Sequence, residues 1–152
     1  MNTTIRDAKL SDLETIAAFN SAMALETEGK PLEMETLRAG VGAVLGDAAK
    51  GRYWVAERNG ETIGQIMVTW EWSDWRNGWF WWIQSVYIAE SARRQGVFRA
   101  LYQHVHNLAK QSGTACGLRL YVEHKNERAR NTYLALAMHD ANYHILEATF
   151  DR

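Results

Sequence analysis

Apolar positions along the chain switch between a helical period and a strand period, and the switches cut it into alternating helix and strand segments. Thr3 to Arg6 predicts a short first strand. Ser11 and Glu14 form a capping-box pattern ahead of Leu13, Ile16 and Ala17, whose spacing predicts a helix ending near Ala24. Glu26 to Pro31 follows as a loop. Leu32, Met34, Leu37, Val41, Val44 and Leu45 then trace a second apolar stripe, weakened by Gly40 and Gly42 and stopped at Gly46.

Two Asn-Gly pairs, Asn59-Gly60 and Asn77-Gly78, lie between runs rich in aromatic and β-branched residues, a strong hairpin signal. They predict three antiparallel strands, Tyr53 to Glu57, Glu61 to Glu71 and Trp79 to Ile88. Phe98, Leu101, Tyr102, Val105 and Leu108 form the face of a further helix closed by Gly113. A fifth strand is expected at Gly117 to Val122, a helix at Asn126 to Met138 and a closing strand at Tyr143 to Phe150. The order is mixed α/β around one sheet.

Composition bounds the partners. A chain of 152 residues predicts a single domain over 1–152. With 17 basic and 18 acidic residues and a net charge of -1, no global field draws it to nucleic acid or to an anionic membrane. One cysteine, Cys116, gives neither an intrachain disulfide nor a cysteine-rich metal site. With no secretory leader or spanning run in the sequence, a cytoplasmic protein is expected. His104 and His106, two apart on a helix, make a poor metal pair and read as surface residues, so no metal is expected.

Candidate chemistry concentrates where Ser85-Val86-Tyr87-Ile88 runs into Arg93-Arg94-Gln95-Gly96-Val97-Phe98-Arg99 and a helix begins. A helix start leaves backbone N–H groups unpartnered and carries partial positive charge, so a Gly-containing, Arg-rich turn there suits a phosphate or pyrophosphate. The bland alternative makes Arg93, Arg94 and Arg99 solvated cations and Gly96 a plain turn residue.

Two motifs make the chain resemble the GNAT superfamily of acyl-CoA-dependent N-acetyltransferases across nearly its whole element order. Arg93 to Phe98 stands where that family has R/Q-x-x-G-x-G/A after its fourth strand, and Asn126, Ala129 and Tyr133 match N-x-x-A-x-x-x-Y after its fifth. The resemblance implies an α/β (α+β) fold with one mixed, mainly antiparallel sheet flanked by helices on both faces. It implies acetyl-CoA as acyl donor, with pantetheine paired along Val86, Tyr87 and Ile88. The pyrophosphate would sit on N–H groups from Arg94 to Arg99, including Gln95, Gly96, Val97 and Phe98, and Asn126 would contact the cofactor through its side-chain amide. Phe98 departs from the small residue of the family motif. It also begins the apolar stripe with Leu101 and Tyr102, which predicts a ring turned inward.

Direct transfer needs an uncharged amine, whereas an alkyl amine of pKa near ~10.4 is ammonium at neutral pH. Many relatives place a Glu on the fourth strand as base, and the corresponding residue here is Gln84, an amide that can only orient water or substrate. Glu71, Glu123, His124 or a water chain remain as proton acceptors, each carboxylate also reading as a solvated charge at a strand end. Tyr133 is the candidate acid for the leaving thiolate, or else a core aromatic, and the Val86 N–H a candidate oxyanion donor.

Six of the seven Trp crowd between Trp70 and Trp82. Alternation sends their rings to both sheet faces, where Trp70, Trp72 and Trp82, with Glu71 and Asp74, suit a cationic amine. Glu26 and Glu28 would border the acceptor. Cross-strand packing or a homodimer contact explains the same strip. The leading reading is an acetyl-CoA-dependent N-acetyltransferase acting on a small-molecule amine. The alternatives are a non-catalytic acyl-CoA sensor and an aromatic-faced carbohydrate or protein interaction module. No Walker loop, His-Glu zinc motif or nucleophile elbow supports other chemistries.

Overall fold

The structure is a computed structural model that describes residues 2–151. It falls into two compact units, one ending at Leu120 and one starting at Tyr121. In the first unit the order is β1 (Thr4–Asp7), α1 (Leu13–Glu28), α2 (Met34–Gly46), β2 (Arg52–Arg58), β3 (Glu61–Ser73), β4 (Gly78–Ile88), α3 (Val97–Ser112) and β5 (Ala115–Leu120). The strands form one sheet in the order β1-β2-β3-β4-β5. All neighbours are antiparallel except β4 and β5, which run parallel. A helix links β4 to β5, as a parallel crossover demands.

Helices cover both faces. On one, Trp54, Ile66, Val68, Trp81 and Ile83 lie buried under Leu101 and Val105 of α3. On the other, Ile16 of α1 and Val41 of α2 close over Tyr53 and Val55. Gly42 permits that approach, since a Cβ there would meet the Leu13 Cδ1 at 3.2 Å. A buried polar chain runs beneath α1, where Gln65 Nε2 donates to Asn20 Oδ1 at 2.7 Å and Asn20 Nδ2 donates to the Tyr53 hydroxyl at 3.1 Å.

Several expectations are corrected. The Ser11–Glu14 capping box does not form. Asp12 fixes the start of α1 instead, its carboxylate accepting from the Lys9 N–H at 2.7 Å and from both ends of the Arg6 guanidinium. Glu14 pairs with Arg38. Helix α1 also runs four residues past Ala24, because Gly29 in the left-handed region (φ 62) supplies a stop that Ala24 does not. Glu26 and Glu28 are therefore on its last turn rather than in a loop. Asn59-Gly60 is a two-residue turn with both φ positive, whereas the second hairpin turns over 74–77 and Gly78 already belongs to β4. That glycine serves a close approach, since a Cβ on it would meet the Thr114 carbonyl at 3.0 Å and the Cys116 Cβ at 3.1 Å. β5 starts two residues earlier than expected. His104 and His106 are half-buried rather than on the surface, His104 edge-on to Trp54 with its pKa pushed down by burial.

The second unit holds α4 (Glu127–Ala135), shorter than expected at both ends. The closing strand at Tyr143 to Phe150 does not form in this chain. Its alternation is strand-like, but a strand needs a ladder neighbour, and the sheet ends at β5.

Candidate active site

The site begins where β4 and β5 part. Their register runs from Trp79↔Ala115 to Ile83↔Leu120 and goes no further, while β4 continues alongside β3 to Ile88. At the parting point β4 carries one extra residue. Ile83 faces Val68 and Ser85 faces Met67, so Gln84 is a bulge, the device that ends pairing and re-aims a strand. Its Nε2 donates to Thr69 Oγ1 at 2.8 Å.

Beyond the bulge the main chain alternates. The Ala89 N–H donates to the Ile63 carbonyl of β3 at 2.8 Å, so Ile88 and Val86 turn their N–H and C=O groups toward the opposite edge. Arg93 Nε takes the Ile88 carbonyl at 2.9 Å. Val86 thus offers a strand edge of the kind an extended amide-bearing ligand can pair with.

The loop into α3 is braced by side chains. Arg93 Nη2 also grips both oxygens of Glu26 at 3.0 and 3.1 Å, and its guanidinium lies 5.3 Å from the Tyr87 ring. The Glu26 side of this cluster and burial both push the Tyr87 hydroxyl pKa up, burial the more. Gln95 is held by Arg58, which donates to its Oε1, and donates in turn to the Ser91 carbonyl at 3.1 Å. Arg94 (φ 63) and Gly96 (φ 81) adopt left-handed backbone, which glycine takes freely but which is unfavourable for Arg94 and is sustained by the bracing of its neighbours Arg93 and Gln95. Gly96 caps α3 without any side-chain bond. The first-turn N–H groups of Val97, Phe98 and Arg99 therefore form a concave cluster of donors flanked by the exposed Arg94 and Arg99. Phe98 is half-buried, its ring stacked on Tyr102 at 6.4 Å and turned along the helix. A diphosphate fits this chemistry.

The aromatic strip is divided between faces. Trp70 opposes Trp81 and Trp72 opposes Trp79, putting these four on the α3 side with Trp54, while Glu71, Phe80 and Trp82 lie on the α1–α2 side. The structure therefore does not bring Trp82 together with Trp70 and Trp72. It does bring Trp82 to Glu71, whose Oε1 accepts from Trp82 Nε1 at 3.2 Å and from Arg119 Nη1 at 2.7 Å. Arg119 lies 3.7 Å over the Phe80 ring. Sequence reasoning missed Arg119, although a lone Arg in the apolar strand Ala115 to Leu120 was a visible signal. Glu26 is committed to Arg93, and Glu28 is exposed on the last turn of α1.

In the second unit Asn126 caps α4, its Oδ1 accepting from the Ala129 N–H at 3.1 Å. Tyr133 follows two turns on and is half-buried. Glu123 Oε2 accepts from the Lys125 N–H at 2.8 Å, a turn contact.

The model of the Acetyltransferase (GNAT) family matches residues 16–138. The chain belongs to the GNAT acetyltransferase family. It is accordingly an acyltransferase enzyme, and the expected mixed sheet with helices on both faces is the family's fold. This GNAT chain is 44% identical to a possible acetyltransferase from Clostridium difficile 630, over 100% of both chains and with a TM-score of 0.94. An aminoglycoside N-acetyltransferase solved with CoA is 14% identical, covering 97% of this chain and 95% of that one at a TM-score of 0.80. A ribosomal-protein-alanine N-acetyltransferase from Brucella melitensis biovar Abortus 2308 is 16% identical over 99% and 100% at the same TM-score. At those two identities the likeness concerns the fold. A search of curated proteins finds no match. Among the described residues no helix is long and apolar enough to cross a membrane.

Proposed function

We propose that this protein moves an acetyl group from acetyl-CoA directly to the primary amine of a small molecule in the cytoplasm, its two units acting as one catalytic domain. The observation that carries the reading is the open edge of β4 beyond Gln84 leading into the braced donor cluster at Gly96. A long amide-bearing arm with an anionic end needs both, in that order along the chain.

Val86 and its neighbours Tyr87 and Ile88 line the arm, and the Val86 N–H supports the developing oxyanion. Arg94, Val97, Phe98 and Arg99 hold the diphosphate, while Arg93 and Gln95 keep the loop in shape. Gln84 orients a water through its carbonyl oxygen, because its amide nitrogen is committed to Thr69. That water carries the ammonium proton toward Glu71, which shares a sheet face with Trp82. Glu123 is the second candidate acceptor, its Oε2 taking the Lys125 N–H and its other oxygen remaining for a proton. Tyr133 returns a proton to the thiolate, and Asn126 offers its amide to the cofactor, both on the strength of the motif. Trp82 and Glu71 flank the incoming amine.

The test is acetyl transfer from acetyl-CoA to a panel of primary amines, followed by thiol release. Turnover with at least one amine, reduced in Tyr133→Phe, supports the reading. CoA binding without turnover on any amine overturns it in favour of a sensor.

A further inference from the structure

We propose, resting on the acetyl-transfer reading above, that the acceptor carries a carboxylate as well as its amine and that Arg119 of β5 binds that carboxylate. On the α1–α2 side of the sheet Phe80 opposes Glu71 of β3 and Gly117 of β5, and Trp82 opposes Arg119. A glycine inside a strand has no side chain to pack and marks a close approach. Here a Cβ on Gly117 would meet Phe80 Cε1 at 3.0 Å, so the missing side chain lets the phenyl ring lean over β5. The ring becomes a platform. Arg119 lies 3.7 Å over it and 6.0 Å from the Trp82 ring, its side chain 25% exposed.

This guanidinium is only partly engaged. Nη1 donates to Glu71 Oε1 at 2.7 Å, whereas among the described residues nothing accepts from Nε or Nη2. Those two donors share one edge of a planar group, which matches the two oxygens of a carboxylate. Stacking on Phe80 holds the edge in place, so little side-chain freedom is left to lose when it is occupied.

The local charge favours the same occupant. Arg76, from the turn at 74–77, reaches the same Phe80 ring at 5.0 Å, and its Nη1 contacts Ser73 Oγ at 3.4 Å rather than a carboxylate. Two guanidinium groups thus meet one ring, with Glu71 the single carboxylate bonded to either among the described residues. The excess is positive, and it attracts an anion. Trp82 and Glu71 suit the ammonium end near the bulge at Gln84, while Arg119 and Arg76 suit the opposite charge toward the hairpin turn. An amino acid fits both ends. A plain alkylamine leaves the arginines unpaired, and a diamine brings them a second cation to repel.

The test is steady-state acetylation of matched amines, followed by thiol release: glycine with ethylamine, 4-aminobutyrate with butylamine and 1,4-diaminobutane, and 6-aminohexanoate with hexylamine. In at least one set kcat/KM for the carboxylated amine should exceed that of its partners by about tenfold or more. Arg119→Met and Arg119→Lys should both bring that ratio toward one, the lysine because a point charge lacks the two-donor edge. A ratio cancels any general loss of activity, and circular dichroism checks that each variant is folded. Ratios near one in the native protein, or a preference that survives in folded Arg119→Met, overturn this inference and leave acetyl transfer standing. A tenfold preference for 3-aminopropylphosphonate over 4-aminobutyrate overturns the carboxylate assignment. Failure to turn over any amine, charged or plain, overturns the acetyl-transfer reading and this inference with it.

Discussion

Replacing Gly96 by Ala separates the fold from the donor cluster that the fold presents. Gly96 lies at φ 81, ψ 7, where an L side chain costs about 1–2 kcal/mol. A Cβ at this position meets nothing within 4 Å, so the penalty is strain alone with no clash added. Some 1 kcal/mol lowers the melting midpoint of a chain this size by roughly 2–4 °C. The strain relaxes by rotating the turn, which moves the N–H groups of Val97, Phe98 and Arg99. Each hydrogen bond from such a donor to a charged oxygen contributes about 1.5–3 kcal/mol, so losing one weakens CoA about ten- to a hundredfold. Calorimetric titration of Gly96→Ala with CoA, beside pantetheine as a ligand lacking the diphosphate, reads the two effects separately. We expect CoA affinity to fall and pantetheine affinity to hold. A midpoint lowered as stated with CoA affinity within a factor of two of native would refute the placement of the diphosphate on this turn.

Arg93→Ala should lower the melting midpoint only slightly, since a half-exposed ion pair to Glu26 contributes about 0.2–1 kcal/mol, yet raise the acetyl-CoA KM several-fold in steady-state assays by freeing the loop. Tyr133→Phe should reduce kcat about a hundredfold with KM little changed, measured by thiol release, if its hydroxyl protonates the thiolate. Asp12→Asn should lower stability in neutral urea titrations by about 1–3 kcal/mol through the loss of charged hydrogen bonds to Arg6. Arg6 holds the Asp12 carboxyl below its ordinary value of 3.8, so the folded state takes up that proton less readily than the unfolded. The contribution is therefore complete above pH 3.8 and is lost as pH falls through the folded value, and acid titration of Asp12→Asn should be flatter there than that of the native chain.

Local patterns were legible where local chemistry decides. Asn59-Gly60 named its turn because both residues must take positive φ, and the α3 stripe named its buried face because Leu101 and Tyr102 both lie one turn from Val105. Asn77-Gly78 also marked its hairpin, but the turn spans 74–77, and Gly78 is small for the sake of Thr114 and Cys116, a requirement set far along the chain. The end of α1 was misplaced because the stop is Gly29, which takes left-handed backbone and bonds back to the Ala24 and Leu25 carbonyls, and not the start of the polar run at Glu26. At the candidate site the Arg-Gly turn was visible as a motif, but its bracing by Arg58 and Glu26 was not, nor was the extra residue at Gln84. A bulge leaves no mark in the alternation until the partner strand's register is known.

The bulge has a consequence for how β4 is held along its length. Up to Ile83, β4 is threaded between two strands and its side chains must suit the packed interior; after Gln84 the parity resets and one flank is open. Residues 85–88 thus keep one main-chain flank outside the β5 ladder, while the tryptophan-rich half of the same strand is paired on both sides. One inserted residue divides a single strand into a girder laddered on both flanks and a stretch laddered on one.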